Sequence, residues 1–127
     1  MNLLFLGFIF VFQVLTIQCK SQPDWITGDE VWVEDGIIYA RGSAKSSTET
    51  LSLATAETRA RSNISRALAN GEICGFMPIP EDIEHKSTFN HNGITGELGY
   101  TVTKEKFIAK DVTGYVLISC IGAKLEE

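Results

Sequence analysis

The sequence has few cationic side chains, and they are not clustered. It contains 11 Lys and Arg against 16 Asp and Glu in 127 residues, a formal net charge of −5. Neutralising nucleic-acid phosphates requires grouped cations, so no nucleic-acid partner is expected. The P-loop, H-E-x-x-H, C-x-x-C and G-x-S-x-G patterns are all missing from the sequence. We therefore predict that the protein is not an enzyme and carries no cofactor.

Long apolar runs are also missing, except at the N-terminus. Residues 3–17 are apolar with few interruptions. As a helix this run would span roughly 22 Å, less than the roughly 30 Å hydrocarbon core of a bilayer. Its length matches the apolar region of a secretory signal peptide. The sequence therefore predicts a signal peptide over residues 1–18 and export. The alternatives are an uncleaved anchor and a buried N-terminal helix.

A cysteine lies two residues after the end of this apolar run. Cys19 stands where a bacterial lipoprotein is cleaved and acylated, with Leu15 four residues before it. Two or three acyl chains would hold a domain stably on a membrane. We predict Cys19 as the lipidation site, residues 19–27 as a tether, and residues 28–127 as one domain. The alternative is cleavage nearby, which would leave Cys19 as an ordinary thiol.

Cysteines are otherwise scarce. If Cys19 carries lipid, Cys74 and Cys120 remain as an even pair in an oxidising compartment. A disulfide between them would stabilise the fold by roughly 4 kcal/mol in the chain-entropy model. The alternative is that both are buried thiols that pack as small apolar groups.

The remaining sequence predicts one hairpin and one long helix. Asp35-Gly36 separates the β-forming runs 31–33 and 37–40, which predicts a hairpin. A helix is expected over residues 46–70, beginning with a Ser46–Glu49 capping box and ending at Asn70-Gly71. Its apolar stripe recurs at helical spacing: Leu53, Ala56, Ala60, Ile64 and Ala67.

Strands are predicted after the helix. The segments are a short strand at 73–76, an extended strand at 83–90, a strand from 98 through 108, and the most apolar run at 115–121. Pro78 and Pro80 predict a loop between the first two. The 115–121 run is expected to be central. The predicted fold is α+β: an N-terminal hairpin and one long helix packed on a mostly antiparallel sheet.

Few residues suggest a binding site. Trp25 and Trp32 are candidates for contact with a partner, with capping of the core as the alternative. His85 and His91 would share a face if they lay on one strand, and they are weak candidates for a metal site. Solvated histidines are the alternative, so no metal site is predicted.

Several segments resemble the family of twenty-kilodalton bacterial envelope lipoproteins, and the N-terminal domain of the flagellar assembly protein T is similar. The resemblance spans about residues 23–121. It rests on these segments: Pro23-Asp-Trp25-Ile, Ile38-Tyr-Ala-Arg-Gly42-Ser-Ala44, Ala54-Thr-Ala56-Glu-Thr-Arg-Ala60-Arg and Gly114-Tyr-Val. The chain departs from the family at its lipidation motif and at its C-terminus.

This resemblance implies a non-enzymatic lipoprotein of the cell envelope, linked to flagellar or cell-surface assembly. The expected partners are the membrane, through the lipid anchor, and an envelope or surface protein. Lys20 follows the cysteine, where Asp would favour retention in the inner membrane, so the outer membrane is expected, with the domain facing the periplasm or the surface. The alternative is a soluble periplasmic protein that binds a small ligand or a metal near His85 and His91.

Overall fold

The computed structural model describes residues 22–82 and 86–126. In these residues one helix packs on a five-stranded antiparallel sheet, which confirms the predicted α+β class. After a 3₁₀ turn at Asp24–Ile26, the elements are β1 (Val31–Glu34), β2 (Ile37–Lys45), α1 (Glu49–Ala69), β3 (Ser87–His91), β4 (Ile94–Ile108) and β5 (Thr113–Leu125). The strand order is β1-β2-β5-β4-β3.

The most apolar strand lies at the centre of the sheet. β5 pairs with β2 on one side and with β4 on the other. Five consecutive residues, 116–120, are buried. The strand is paired on both edges and covered by α1 on one face, and Leu117 and Ser119 on its other face are buried as well, so it accommodates a continuous apolar run. The sequence predicted this central position correctly.

β1 and β2 are joined by a tight turn. Asp35 and Gly36 both have positive φ angles, 54° and 81°. Two positive φ values define a type I′ turn, whose twist matches that of paired strands. Val33 then pairs with Ile38, and Trp32 with Tyr39.

The helix begins later than the sequence predicted. Its N-cap is Thr48, whose hydroxyl accepts a hydrogen bond from the Leu51 N–H at 3.2 Å. The Ser46–Glu49 capping box is therefore wrong. The backbone N–H of Ser46 instead donates to Oγ of the buried Ser52 at 2.9 Å. This bond holds the end of β2 against the first helical turn. It also provides the buried Ser52 hydroxyl with a hydrogen-bond partner, which offsets the cost of burying it.

The helix ends where predicted. Asn70 is the C-cap, and Gly71 follows with a φ of 69°. The Glu72 N–H donates to the Ala67 carbonyl at 2.8 Å, and the Gly71 N–H donates to the Leu68 carbonyl at 3.2 Å. These two bonds form a Schellman motif, which requires the left-handed conformation that glycine adopts freely.

Helix and sheet approach closely because both carry small residues. A Cβ on Gly42 would collide with the Ala56 carbonyl oxygen and the Ala60 nitrogen. A Cβ on Gly114 would lie 2.9 Å from the Ser52 carbonyl carbon. The buried helical residues are Ser52, Ala56, Ala60, Ile64, Ala67 and Leu68. The predicted stripe is thus confirmed at four positions, while Ser52 takes the buried place that was expected for Leu53, which is half-buried.

Alternate residues point to the opposite side of the sheet, which we call the second face. Tyr39 lies opposite Ser119, and Ser43 opposite Tyr115. Tyr115 is also next to Phe107, with ring centroids 6.2 Å apart. The long helix α1 packs on the opposite face, whereas on the second face Arg41 holds the segment of the 3₁₀ turn through hydrogen bonds to the Trp25 and Gly28 carbonyls.

The strand predicted at 73–76 does not form. Residues 72–80 have no regular secondary structure, and Gly75 has a φ of 81°, which interrupts an extended backbone. The segment is instead fixed at Met77, whose N–H donates to the Gly36 carbonyl at 2.9 Å. The Met77 carbonyl accepts from the Ala123 N–H at 3.3 Å. The segment therefore closes the end of the sheet without becoming a strand.

Three strands are longer than predicted: β2 continues to Lys45, β4 begins at Ile94, and β5 runs from Thr113 to Leu125. β3 begins at Ser87, within the extended segment predicted at 83–90, of which residues 83–85 lie outside the described residues. The predicted signal peptide and Cys19 also lie outside them. Among the described residues no helix is long and apolar enough to cross a membrane.

Candidate functional site

Both tryptophans line one groove beside the edge strand β1. This tryptophan groove is open to solvent, has a volume of about 350 Å³, and is formed by Asp24, Trp25, Thr27, Asp29 and Trp32. The two tryptophans are seven residues apart in the sequence, and no predicted element joined them. The structure therefore brings together the two residues that were candidates for partner contact.

The 3₁₀ turn holds Trp25 at the groove. Pro23 precedes the turn, and its carbonyl accepts a hydrogen bond from the Ile26 N–H at 3.2 Å. Ile26 is only 7% exposed, so its side chain attaches the turn to the domain. Packing thus begins inside the segment 19–27 that the sequence predicted as a tether.

Arg41 fixes the backbone on both sides of this turn. Its Nη1 donates to the Trp25 carbonyl at 3.2 Å, and its Nη2 donates to the Gly28 carbonyl at 3.3 Å. A guanidinium has several donors in one rigid plane, so it can hold two carbonyls at once. Arg41 is therefore the residue that positions the turn relative to β2.

The other wall of the groove is Trp32. Its indole stacks on the Tyr39 ring of the neighbouring strand, with centroids 5.7 Å apart and planes inclined by 16°. Trp32 therefore lies on an edge strand, with one ring face stacked on Tyr39, and its side chain also lines the groove. Stacking on a cross-strand neighbour restrains the indole without burying it.

Neither tryptophan belongs to the core. Both are half-buried, and the core cluster does not include them. The indole Nε1 of Trp25 is buried and has no hydrogen-bond partner among the residues that the structure describes. A buried donor without an acceptor is unfavourable by about 1–3 kcal/mol, so capping of the core does not explain this arrangement well.

The charges at the groove are acidic. Asp24 and Asp29 are exposed and line it, and the five lining residues include no Lys or Arg. Arg41 is the cation nearest to these residues, and it points at the backbone carbonyls of Trp25 and Gly28, whereas Arg66 lies 3.9 Å from a carboxylate oxygen of Glu30. The groove therefore combines aromatic faces with negative charge.

The candidate disulfide is not formed in this structure. Cys74 and Cys120 are both free thiols, Cys74 exposed in the irregular segment and Cys120 buried in β5. Cys120 Sγ donates a hydrogen bond to the Gly122 carbonyl at 3.4 Å. Burial raises the pKa of the Cys120 thiol to about 11 from an ordinary value of 9.0, so it stays protonated and unreactive near neutral pH.

The structure describes only one of the two histidines that were weak candidates for a metal site. His91 is half-buried at the end of β3, and His85 lies outside the described residues. In the part of the chain that the structure describes, no group of three or more His, Cys, Asp or Glu side chains could hold a metal ion. His91 does not line the tryptophan groove.

Comparisons with protein-family models, curated proteins and solved structures find no match to this chain. The resemblance to the envelope lipoproteins therefore stays a prediction.

Sequence reasoning found the two tryptophans but missed the residues that complete the groove. Nothing in the sequence distinguishes Asp24 or Asp29 from the other acidic residues, and Arg41 follows the predicted strand run 37–40. A possible signal was the alternation in β2, which places Arg41 on the same side as Tyr39. That signal could not reveal that its acceptors belong to residues thirteen and sixteen positions earlier.

Proposed function

We propose that this protein is an exported lipoprotein of the cell envelope, anchored through Cys19, whose domain binds another envelope or surface component and catalyses no reaction. The observation that carries the proposal is the position of Cys19 two residues after the end of the apolar run 3–17. The expected location is the outer membrane, and a role in flagellar or cell-surface assembly follows only from the family resemblance.

The structure supports this proposal through the short distance between anchor and groove. Five residues after Cys19 the chain enters the 3₁₀ turn, and Trp25 follows at once. An extended chain covers about 3.3–3.6 Å per residue, so the groove lies within roughly 20 Å of an acylated Cys19. A partner that is itself at the membrane would meet this groove without a long linker.

The anchor is tested by intact-mass spectrometry of the protein purified from its native membrane. We expect a chain that begins at Cys19 and carries acyl chains, and Cys19→Ser should abolish both the added mass and the membrane association. Ser21→Ala, two residues away, is the matched control and should leave both unchanged. A mature chain without lipid that begins elsewhere would refute the anchor.

The binding role is tested by placing a photoreactive amino acid at position 32 in cells. We expect a crosslink to a membrane-associated component, and this crosslink should weaken when Cys19 is replaced by serine. The same probe at Thr50, an exposed residue of α1, is the control position. Equal crosslinking from both positions would mean that the groove is not the contact surface.

A further inference from the structure

We propose that the tryptophan groove binds an alkylammonium cation, such as the quaternary ammonium of choline. The inference rests on the proposed function only in taking this groove as the contact surface, and it does not depend on acylation of Cys19. Two observations carry it: both tryptophans line the groove, and the only charges among the lining residues are negative.

The first observation concerns the rings. The face of an indole attracts cations more strongly than that of any other side-chain ring. Tyr39 occupies one face of Trp32 and restrains the ring, so the face toward the groove is held in place before a ligand arrives. Trp25 is held through Arg41 and Ile26. Two restrained aromatic walls lower the entropic cost of binding a small cation.

The second observation concerns charge. Asp24 and Asp29 add electrostatic attraction for a cation, and an anionic ligand would meet repulsion from both. The chain as a whole is negative as well, with a formal net charge of −5. A neutral apolar ligand would use the rings but gain nothing from the carboxylates. A cation with an apolar periphery uses both.

The groove is also of suitable size and openness. Its volume of about 350 Å³ is at the low end of the range for small-molecule sites. Because the groove is open, the rest of the ligand can extend into solvent or toward a membrane. The ligand is therefore either a free small molecule or a headgroup displayed on a lipid.

The test uses intrinsic fluorescence, because both tryptophans of the chain line the groove. Choline chloride is titrated into the Cys19→Ser chain at constant ionic strength. We expect a saturable change in emission with a Kd on the order of 1 mM, since two exposed cation–π contacts are individually weak. The uncharged analogue, in which carbon replaces the nitrogen of choline, should bind at least about fivefold more weakly.

Substitutions test the contributions of the carboxylates and of the aromatic rings to binding separately. Asp29→Asn keeps the shape and removes one charge, and it should raise the Kd for choline about threefold. Asp82→Asn, an exposed acid outside the groove, is the matched control and should leave the Kd unchanged. Trp32→Leu should raise the Kd about tenfold, while Trp32→Phe should recover part of the loss.

Vesicles distinguish the two sources of the ligand. Binding of the Cys19→Ser chain to phosphatidylcholine vesicles, with competition by choline and no binding to phosphatidylglycerol, would identify a lipid headgroup. A response to choline without vesicle binding would identify a free ligand. Equal affinity for choline and its uncharged analogue, or equal effects of Asp29→Asn and Asp82→Asn, would overturn the inference. The crosslink from position 32 would still stand in that case, so failure of the inference and failure of the proposed function are distinguishable.

Discussion

The helix-covered face of the sheet is built from small residues, whereas the second face carries rings. Gly42, Gly114 and Ala40 lie under α1, and Tyr39, Tyr115 and Phe107 lie on the other side. Small residues let a helix approach until its backbone contacts the strand, which excludes water and leaves little space for change. The rings on the second face are only half-buried, so they remain available for contact. Stability therefore resides mainly on the helix-covered face, and we propose that recognition uses the second face.

The largest expected difference between the faces is in cavity formation. Ile118→Ala removes a fully buried side chain beneath α1 and should lower the free energy of unfolding by about 2–5 kcal/mol. Tyr100→Ala on the second face removes a ring that is 50% exposed and should lower it by less than about 1 kcal/mol. Urea denaturation of both variants measures this, and comparable losses would show that the second face is part of the core.

The close approach of helix and sheet is tested at two adjacent residues of β2. Gly42→Val places a branched side chain where the backbone of Ala56 and Ala60 already lies, so it should lower the free energy of unfolding by about 3 kcal/mol. Ser43→Val is the control, since Ser43 is exposed on the second face, and its effect should stay within about 0.5 kcal/mol. Thermal melts would reveal the difference, and a well-folded Gly42→Val variant would contradict the packing.

A pH effect of intermediate size is expected from Cys120. Its pKa is about 11 in the folded protein because the thiol is buried, against an ordinary 9.0 for an exposed thiol. The folded state therefore holds a proton that the unfolded state releases above pH 9, and stability falls as pH rises from 9 to 11. Two pKa units correspond to about 2.7 kcal/mol.

The control for this effect is Cys120→Ala, which should lose its stability less steeply between pH 9 and 11 than the original chain. The comparison cancels contributions from Lys and Tyr, which titrate in the same range. Parallel pH profiles would show that Cys120 is not buried as a neutral thiol. At pH 8 a thiol reagent should modify Cys74 rapidly and Cys120 only on unfolding.

The smallest expected effect concerns the ring pair of the groove. A double-mutant cycle with Trp32→Ala and Tyr39→Ala should give a coupling energy of about 0.5–1.5 kcal/mol, because the two rings stack. The same cycle on Trp32 and Phe107, which are not neighbours in the sheet register, should give about zero. Coupling of equal size in both cycles would mean that the variants disturb the sheet as a whole.

Local sequence signals predicted most of the elements because their physical causes are local. The Asp35-Gly36 turn, the alanine-rich stripe and the Asn70-Gly71 stop each depend on residues within one or two turns of chain. The predicted start of the helix was wrong because Ser46 and Thr48 are both good N-cap residues. Which of them caps the helix depends on where β2 ends. The strand at 73–76 was wrong because Gly75 and the hydrogen bonds of Met77 direct that backbone elsewhere.

What the sequence determined by itself is the α+β class, the central position of residues 115–121, and the presence of two tryptophans before and within the first strand. Only the tertiary structure decided that those tryptophans share a groove with Asp24 and Asp29, and that Arg41 holds the preceding turn. It also separated an exposed Cys74 from a buried Cys120. The physical reason is that periodicity encodes which side of an element is buried, whereas contacts between distant segments depend on how the elements pack together.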